Sequence, residues 1–98
     1  MFISIDEKAF SWFTDEFNVC TPFYIRMFPQ YAGFGEKHKG YSLAFSTEVP
    51  SDAEYVKEVN GITFFIEGND TWFFEDTKTF LTFDETMAEL QIKYEVIH

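Results

Sequence analysis

Side chains that carry out catalysis are scarce in this chain. It has one cysteine and two histidines in 98 residues. One cysteine cannot form an intramolecular disulfide, and only His38 and His98 could act as a base near neutral pH. The sequence also lacks the GxSxG, HExxH, GxxxxGK[ST] and paired CxxC motifs of common enzyme and metal sites. It therefore predicts a protein that is not an enzyme, with no cofactor and no metal site.

Basic side chains are also few. Seven lysines and arginines stand against 17 acidic residues, which gives a formal charge of −10. Such a charge repels nucleic-acid backbones and anionic membranes. No segment reaches the roughly 18 consecutive apolar residues of a membrane helix, and the start MFISIDEKAF lacks the basic and apolar parts of a signal peptide. We therefore expect a cytoplasmic protein that binds neither nucleic acid nor membrane.

Aromatic residues, by contrast, are abundant. They make up 21% of the chain and include 14 phenylalanines. Each large ring needs on the order of 150 to 250 Å² of cover when buried, so some rings could instead line a partner surface. Cores tolerate different apolar residues when volume and pattern are kept. The sequence therefore favours a core built from phenylalanine over an exposed aromatic surface.

The periodicity of apolar residues predicts one N-terminal amphipathic helix. Asp6 can accept hydrogen bonds from free N–H groups at a helix start, and Ala9, Phe10, Phe13 and Phe17 follow at spacings of three and four. Thr21-Pro22 stops the helix, because the residue before a proline avoids the helical region. We place the helix at Asp6 to Phe17.

The rest of the chain shows the two-residue period of strands. Asn60-Gly61 predicts a two-residue hairpin turn, and Gly68 to Phe74 predicts a short helical turn near residues 70–74. The predicted strands are residues 22–28, 41–46, 54–59, 62–67, 79–83 and 89–96. The expected fold is therefore α+β, mostly β. It is one compact domain over residues 1–98, with the helix packed on antiparallel or mixed sheets.

The loop QYAGFGEKHKG joins the first two predicted strands after Pro22 and gathers three of the five glycines. Glycine-rich backbone can turn N–H groups toward an anion, and nearby bases would add charge. A solvated loop without a ligand is an equally good interpretation. We expect the contact residues for a partner protein or small anionic ligand to be Arg26, Tyr31, Phe34, Lys37, His38 and Lys39.

The order of these elements resembles the HesB/IscA-like family of A-type iron–sulfur carriers. The resemblance is clearest in ISIDEKAF, FYIRMF with its glycine loop, YSLAFS, NGITFFIEGND and FDETMAELQIKYE. Members of that family carry a cysteine in this loop and a Cys-Gly-Cys after the last strand. Here Phe34 stands at the loop position, and the chain reaches His98 before any Cys-Gly-Cys. The resemblance implies a cysteine-poor HesB-like domain that lacks the cluster ligands.

Two functional hypotheses follow. The first is a non-enzymatic HesB-like binding module, related to iron–sulfur biosynthesis, that uses its loop and aromatic surface. The second is a metal or iron–sulfur carrier in which each chain of a homodimer contributes Cys20 and His38. A hydrolase that uses His38 has the least support.

Overall fold

The computed structural model describes residues 1–20, 22–31, 33 and 40–97. It confirms the α+β, mostly β class with one N-terminal helix and a short helical turn. In chain order the elements are β1 (Phe2–Ile5), α1 (Glu7–Glu16), β2 (Phe23–Tyr31), β3 (Tyr41–Ser46), β4 (Ala53–Val59), β5 (Ile62–Glu67), a 3₁₀ helix (Gly68–Phe73), β6 (Thr77–Asp84) and β7 (Glu89–Val96). These elements fall into two compact units, Met1–Val19 with Phe74–His98, and Cys20–Phe73. The single domain expected over residues 1–98 stays a prediction.

The first unit contains the predicted helix. The Asp6 carboxylate accepts a hydrogen bond from the Ala9 N–H at 2.7 Å, which caps the start of α1. At the other end the Phe17 N–H donates to the Phe13 carbonyl. Ala9 and Phe13 are buried, and the helix lies against β6 and β7. The expected limits, Asp6 to Phe17, are therefore the two caps of the observed helix.

The sheet of this unit has three strands in the order β1-β6-β7. β1 is parallel to β6, with Ile3 opposite Thr79, and β6 is antiparallel to β7, with Leu81 opposite Ile92. Ile3, Thr79 and Leu81 are buried, as is Phe74. β6 starts two residues before the predicted strand because pairing with β7 extends back to Thr77.

The second unit is a four-stranded sheet in the order β3-β2-β5-β4. β2 is parallel to β5, and the two hairpins β2–β3 and β4–β5 are antiparallel. Asn60 and Gly61 have φ angles of 46° and 86° between the paired residues Val59 and Ile62. Positive φ at both positions is the geometry of a type I′ turn. The hairpin predicted from Asn-Gly is confirmed.

Phenylalanine fills much of the core in both units, as the sequence predicted. The fully buried phenylalanines are Phe13, Phe64, Phe65, Phe73 and Phe74. The other phenylalanines that the structure describes are partly covered, and Phe2 is 45% exposed. Among the described residues, the other exposed aromatic side chains are Tyr24, Tyr31 and Trp72.

The strand predicted at residues 22–28 continues to Tyr31. Pairing with β3 extends from Arg26 to Tyr31, whereas pairing with β5 ends at Arg26. Beyond Arg26 the described pairing places a neighbour on one side of β2 only. Pro29 is tolerated there because a proline on the open side of an edge segment removes no ladder hydrogen bond.

Candidate functional site

Three aromatic side chains of the second unit form a continuous contact chain, which we call the aromatic strip: Tyr31, Tyr41 and Trp72. Tyr31 and Tyr41 are cross-strand partners at the ends of β2 and β3, with ring centroids 5.4 Å apart at an interplanar angle of 78°. Trp72, in the 3₁₀ helix, meets Tyr41 at 5.4 Å and 86°. Both contacts are edge-to-face, the arrangement that the ring quadrupoles favour.

The two ends of the aromatic strip face solvent. Tyr31 is 71% exposed and Trp72 is 41% exposed. At its base Trp72 also meets Phe73, whose ring is fully buried, at 5.8 Å and 88°. Large exposed rings that are held in place by neighbouring rings offer apolar contact area, and they lose little side-chain entropy when a partner binds. This arrangement is suited to protein recognition.

Gly40 allows Tyr31 to take its place in the strip. Its φ angle is +88°, and a Cβ added there would lie 2.5 Å from Tyr31 Cε1. The Gly40 carbonyl also accepts a hydrogen bond from the Gly33 N–H at 3.1 Å, which closes the hairpin end. Any other residue at position 40 would adopt a strained backbone and push the Tyr31 ring away from Tyr41.

Arg26 is at the centre of a charged group that we call the Arg26 cluster. Its guanidinium donates to Asp70 Oδ2 from Nη2 at 2.6 Å and from Nε at 3.2 Å. Nη1 donates to the Glu48 carboxylate at 3.3 and 3.4 Å. The Ser46 hydroxyl also donates to Glu48, and the guanidinium carbon lies 4.9 Å from the centre of the Phe28 ring.

These contacts shift the pKa values of two groups in the cluster, and they leave the Arg26 guanidinium paired with carboxylates of its own chain. The hydrogen bond to Asp70 is the main cause that raises the pKa of Arg26. Hydrogen bonding from Ser46, reinforced by Arg26, lowers the pKa of Glu48. Asp70 belongs to the same 3₁₀ helix as Trp72. The cluster therefore ties the helix that carries Trp72 to β2.

Two of the six predicted contact residues, Arg26 and Tyr31, lie among the residues that the structure describes. Arg26 and Tyr31 are five positions apart on β2, so their side chains leave opposite faces of the strand. Phe34, Lys37, His38 and Lys39 lie outside the described residues. The guanidinium of Arg26, expected to face a ligand, is bound by Asp70 and Glu48 of its own chain.

Sequence reasoning missed Tyr41 and Trp72 as site residues. A signal for Tyr41 was available, because Tyr31 and Tyr41 flank the loop at the ends of the two strands that it joins. Trp72 had a weaker signal: the chain has only two tryptophans, and this one follows the polar turn Gly68 to Thr71. Its contact with Tyr41 spans 31 positions and depends on where the 3₁₀ helix lies.

No group of three or more His, Cys, Asp or Glu side chains that could hold a metal ion occurs among the residues that the structure describes. Cys20 is exposed, while His38 and His98 lie outside that part of the chain. Within the same part of the chain, no helix is long and apolar enough to cross a membrane.

The chain is similar along its length to curated bacterial proteins. It is 32% identical over 95 residues to a pyruvate dehydrogenase inhibitor of Bacillus subtilis, a match that covers 97% of this chain and 100% of the relative. An uncharacterised protein of Staphylococcus saprophyticus is 29% identical over 93 residues, covering 92% and 95% of the two chains. One from Staphylococcus haemolyticus is 32% identical over 85 residues, covering 80% and 82%. No protein-family model and no solved structure matches the chain.

These similarities overturn the resemblance to HesB/IscA-like proteins. The prediction of an iron–sulfur biosynthesis protein was wrong, as was the alternative carrier using Cys20 and His38, because the named full-length relative is a dehydrogenase inhibitor. The resemblance depended on the order of helix, strands and turns without a single ligand cysteine. The order of helices, strands and turns is set by capping residues, turn residues and apolar spacing. The same order recurs in unrelated proteins, so it does not identify a function.

Proposed function

The chain belongs to the family of the Bacillus subtilis pyruvate dehydrogenase inhibitor, and from that premise we propose that it inhibits a pyruvate dehydrogenase by binding to the enzyme. The observation that carries the proposal is the match over the whole of the relative. An inhibitor that acts by binding needs no catalytic residues of its own. This agrees with the scarcity of such residues in the sequence.

We assign the aromatic strip to the contact with the enzyme. Tyrosine and tryptophan are the residue types that most often dominate the energetics of protein interfaces, and Tyr31 and Trp72 expose their rings. Arg26 supports the contact indirectly, because it holds the 3₁₀ helix through Asp70. The loop residues Phe34, Lys37, His38 and Lys39 stay predictions as further contacts.

The formal charge of −10 favours a basic surface on the enzyme as the partner. Opposite charges speed the encounter of two proteins and orient them before contact. The effect is screened by salt, with a Debye length of about 8 Å at physiological ionic strength. Association should therefore slow as the salt concentration rises. The cytoplasmic location expected from the sequence stays a prediction, and the sequence left a homodimer only as a possibility.

The first experiment titrates the purified chain into the pyruvate dehydrogenase complex of its own host, and into that of Bacillus subtilis, and follows pyruvate-dependent NADH formation. We expect saturable inhibition by the wild-type chain. A wild-type chain that binds neither enzyme and leaves both rates unchanged would refute the proposed function.

A second experiment tests the assigned surface. The variant Tyr31→Ala with Trp72→Ala should raise the half-inhibitory concentration at least about 30-fold, since truncating two interface hot spots removes about 1 kcal/mol or more each. Tyr24→Ala is the matched control, because Tyr24 is an exposed aromatic residue of β2 outside the strip. Circular dichroism checks that each variant is folded. If the double variant and the control inhibit equally well, the aromatic strip is not the contact.

A further inference from the structure

The first unit contains an open cleft of about 390 Å³ beside α1. One side is the helix face that carries Lys8, Trp12, Asp15 and Glu16, and the other includes Phe83 near the end of β6. Spacings of three and four place these helix residues on one face, while Ala9 and Phe13 are buried. The cleft thus combines two aromatic rings with charged groups and has the volume of a small-ligand site.

Charge distinguishes this cleft from an ordinary apolar groove. Lys8, its basic lining residue, forms an ion pair with Glu85 of the turn after β6. Asp15 and Glu16 are exposed and make no ion pair with any residue that the structure describes. Acidic side chains outnumber basic ones ten to three in the whole unit. The cleft therefore presents uncompensated negative charge next to an indole.

We propose that this cleft binds an arginine side chain of a partner protein. A guanidinium is planar, so it can lie on the Trp12 ring while its N–H groups donate to the carboxylates of Asp15 and Glu16. Arginine suits the site better than lysine, because an ammonium is more strongly hydrated and cannot bind a carboxylate through two parallel hydrogen bonds. The inference stands on the cleft itself and does not require the partner to be a pyruvate dehydrogenase.

Trp12 supplies the signal for a direct test. The chain has two tryptophans, so Trp72→Phe leaves Trp12 as the one indole, which is excited selectively at wavelengths that the tyrosines do not absorb. A capped hexa-arginine peptide is titrated into this variant while Trp12 emission is followed. We expect a saturable change in Trp12 emission with the arginine peptide. A citrulline peptide of the same length should bind with a Kd that is at least about tenfold higher. Citrulline keeps the planar shape of arginine and removes its charge.

Matched variants separate the cleft from general electrostatic attraction. In the same Trp72→Phe background, Asp15→Asn with Glu16→Gln removes two charges from the cleft, whereas Glu75→Gln with Asp76→Asn removes two exposed charges that do not line it. We expect the Kd for the arginine peptide to be at least about fivefold higher for the first double variant than for the second.

A capped hexa-lysine peptide is titrated in the same way. Three outcomes would overturn the inference: equal effects of the two charge variants, no change in Trp12 emission, or a lysine peptide that binds as tightly as the arginine peptide. Circular dichroism establishes that the variants remain folded. The assay contains no dehydrogenase, so its result is independent of the inhibition experiments.

Discussion

Replacing Gly40 with alanine tests how the aromatic strip is held in place. The new Cβ would lie 2.5 Å from Tyr31 Cε1, on a residue with φ of +88°. The left-handed backbone costs about 1–2 kcal/mol for a residue with a side chain. Tyr31 is 71% exposed, so its ring can move aside, but it then loses its edge-to-face contact with Tyr41, worth about 0.5–1.5 kcal/mol.

Gly33 provides the matched control. It also has positive φ, +83°, but nothing lies within 4 Å of an added Cβ. Gly33→Ala and Gly40→Ala both restrict the unfolded chain, which offsets about 0.4–1 kcal/mol of the strain in each. The backbone and unfolded-state effects therefore cancel in the comparison. We expect Gly40→Ala to cost about 1 kcal/mol more than Gly33→Ala, the value of the lost Tyr31–Tyr41 contact.

The measurement is urea unfolding of both variants, repeated in a Tyr31→Ala background. Without the tyrosine ring the extra cost of Gly40→Ala should disappear, which is the signature of direct coupling in a double-mutant cycle. Near-UV circular dichroism of Gly40→Ala should also change more than that of Gly33→Ala, because the environment of two tyrosines is altered. Equal destabilisation by the two alanines in the wild-type background would refute this account of Gly40.

Other substitutions test separate features of the two units. Thr79→Val should raise the free energy of unfolding by about 1 kcal/mol, because the Thr79 hydroxyl is buried without a hydrogen-bond partner in the described part of the chain; a lower urea midpoint would contradict this. Contacts from Ser46 and Arg26 lower the pKa of Glu48, so its carboxylate stabilises the fold above its unfolded pKa, and this stability is lost as pH falls through the lower folded pKa. Glu48→Gln should therefore flatten the acid side of the plot of urea midpoint against pH, and an unchanged slope would argue against the Arg26 cluster. Gly61→Ala should lower the free energy of unfolding by about 1 kcal/mol, because the turn holds Gly61 at φ 86°; a stability equal to wild type would contradict the assigned turn.

Arg26 illustrates how far the candidate site could be predicted. Its charge and its place on β2 were readable from the sequence, but its partners were not. Asp70 is 44 positions away and Glu48 is 22 positions away, and many acidic residues could have paired with it. The choice depends on how the 3₁₀ helix and the end of β3 are brought to β2. The same placement brings Trp72 to Tyr41.

The sequence by itself determined the elements whose causes lie within a few residues. Asp6 and the apolar spacing set the limits of α1, and Asn60-Gly61 set the β4–β5 turn, because capping and turn geometry are short-range effects. Only the tertiary structure decided the order β3-β2-β5-β4 and the parallel pairing of β2 with β5. The aromatic strip and the Arg26 cluster were decided in the same way. Their contacts join distant segments, and such pairs form only when the whole set of packed strands excludes the alternatives.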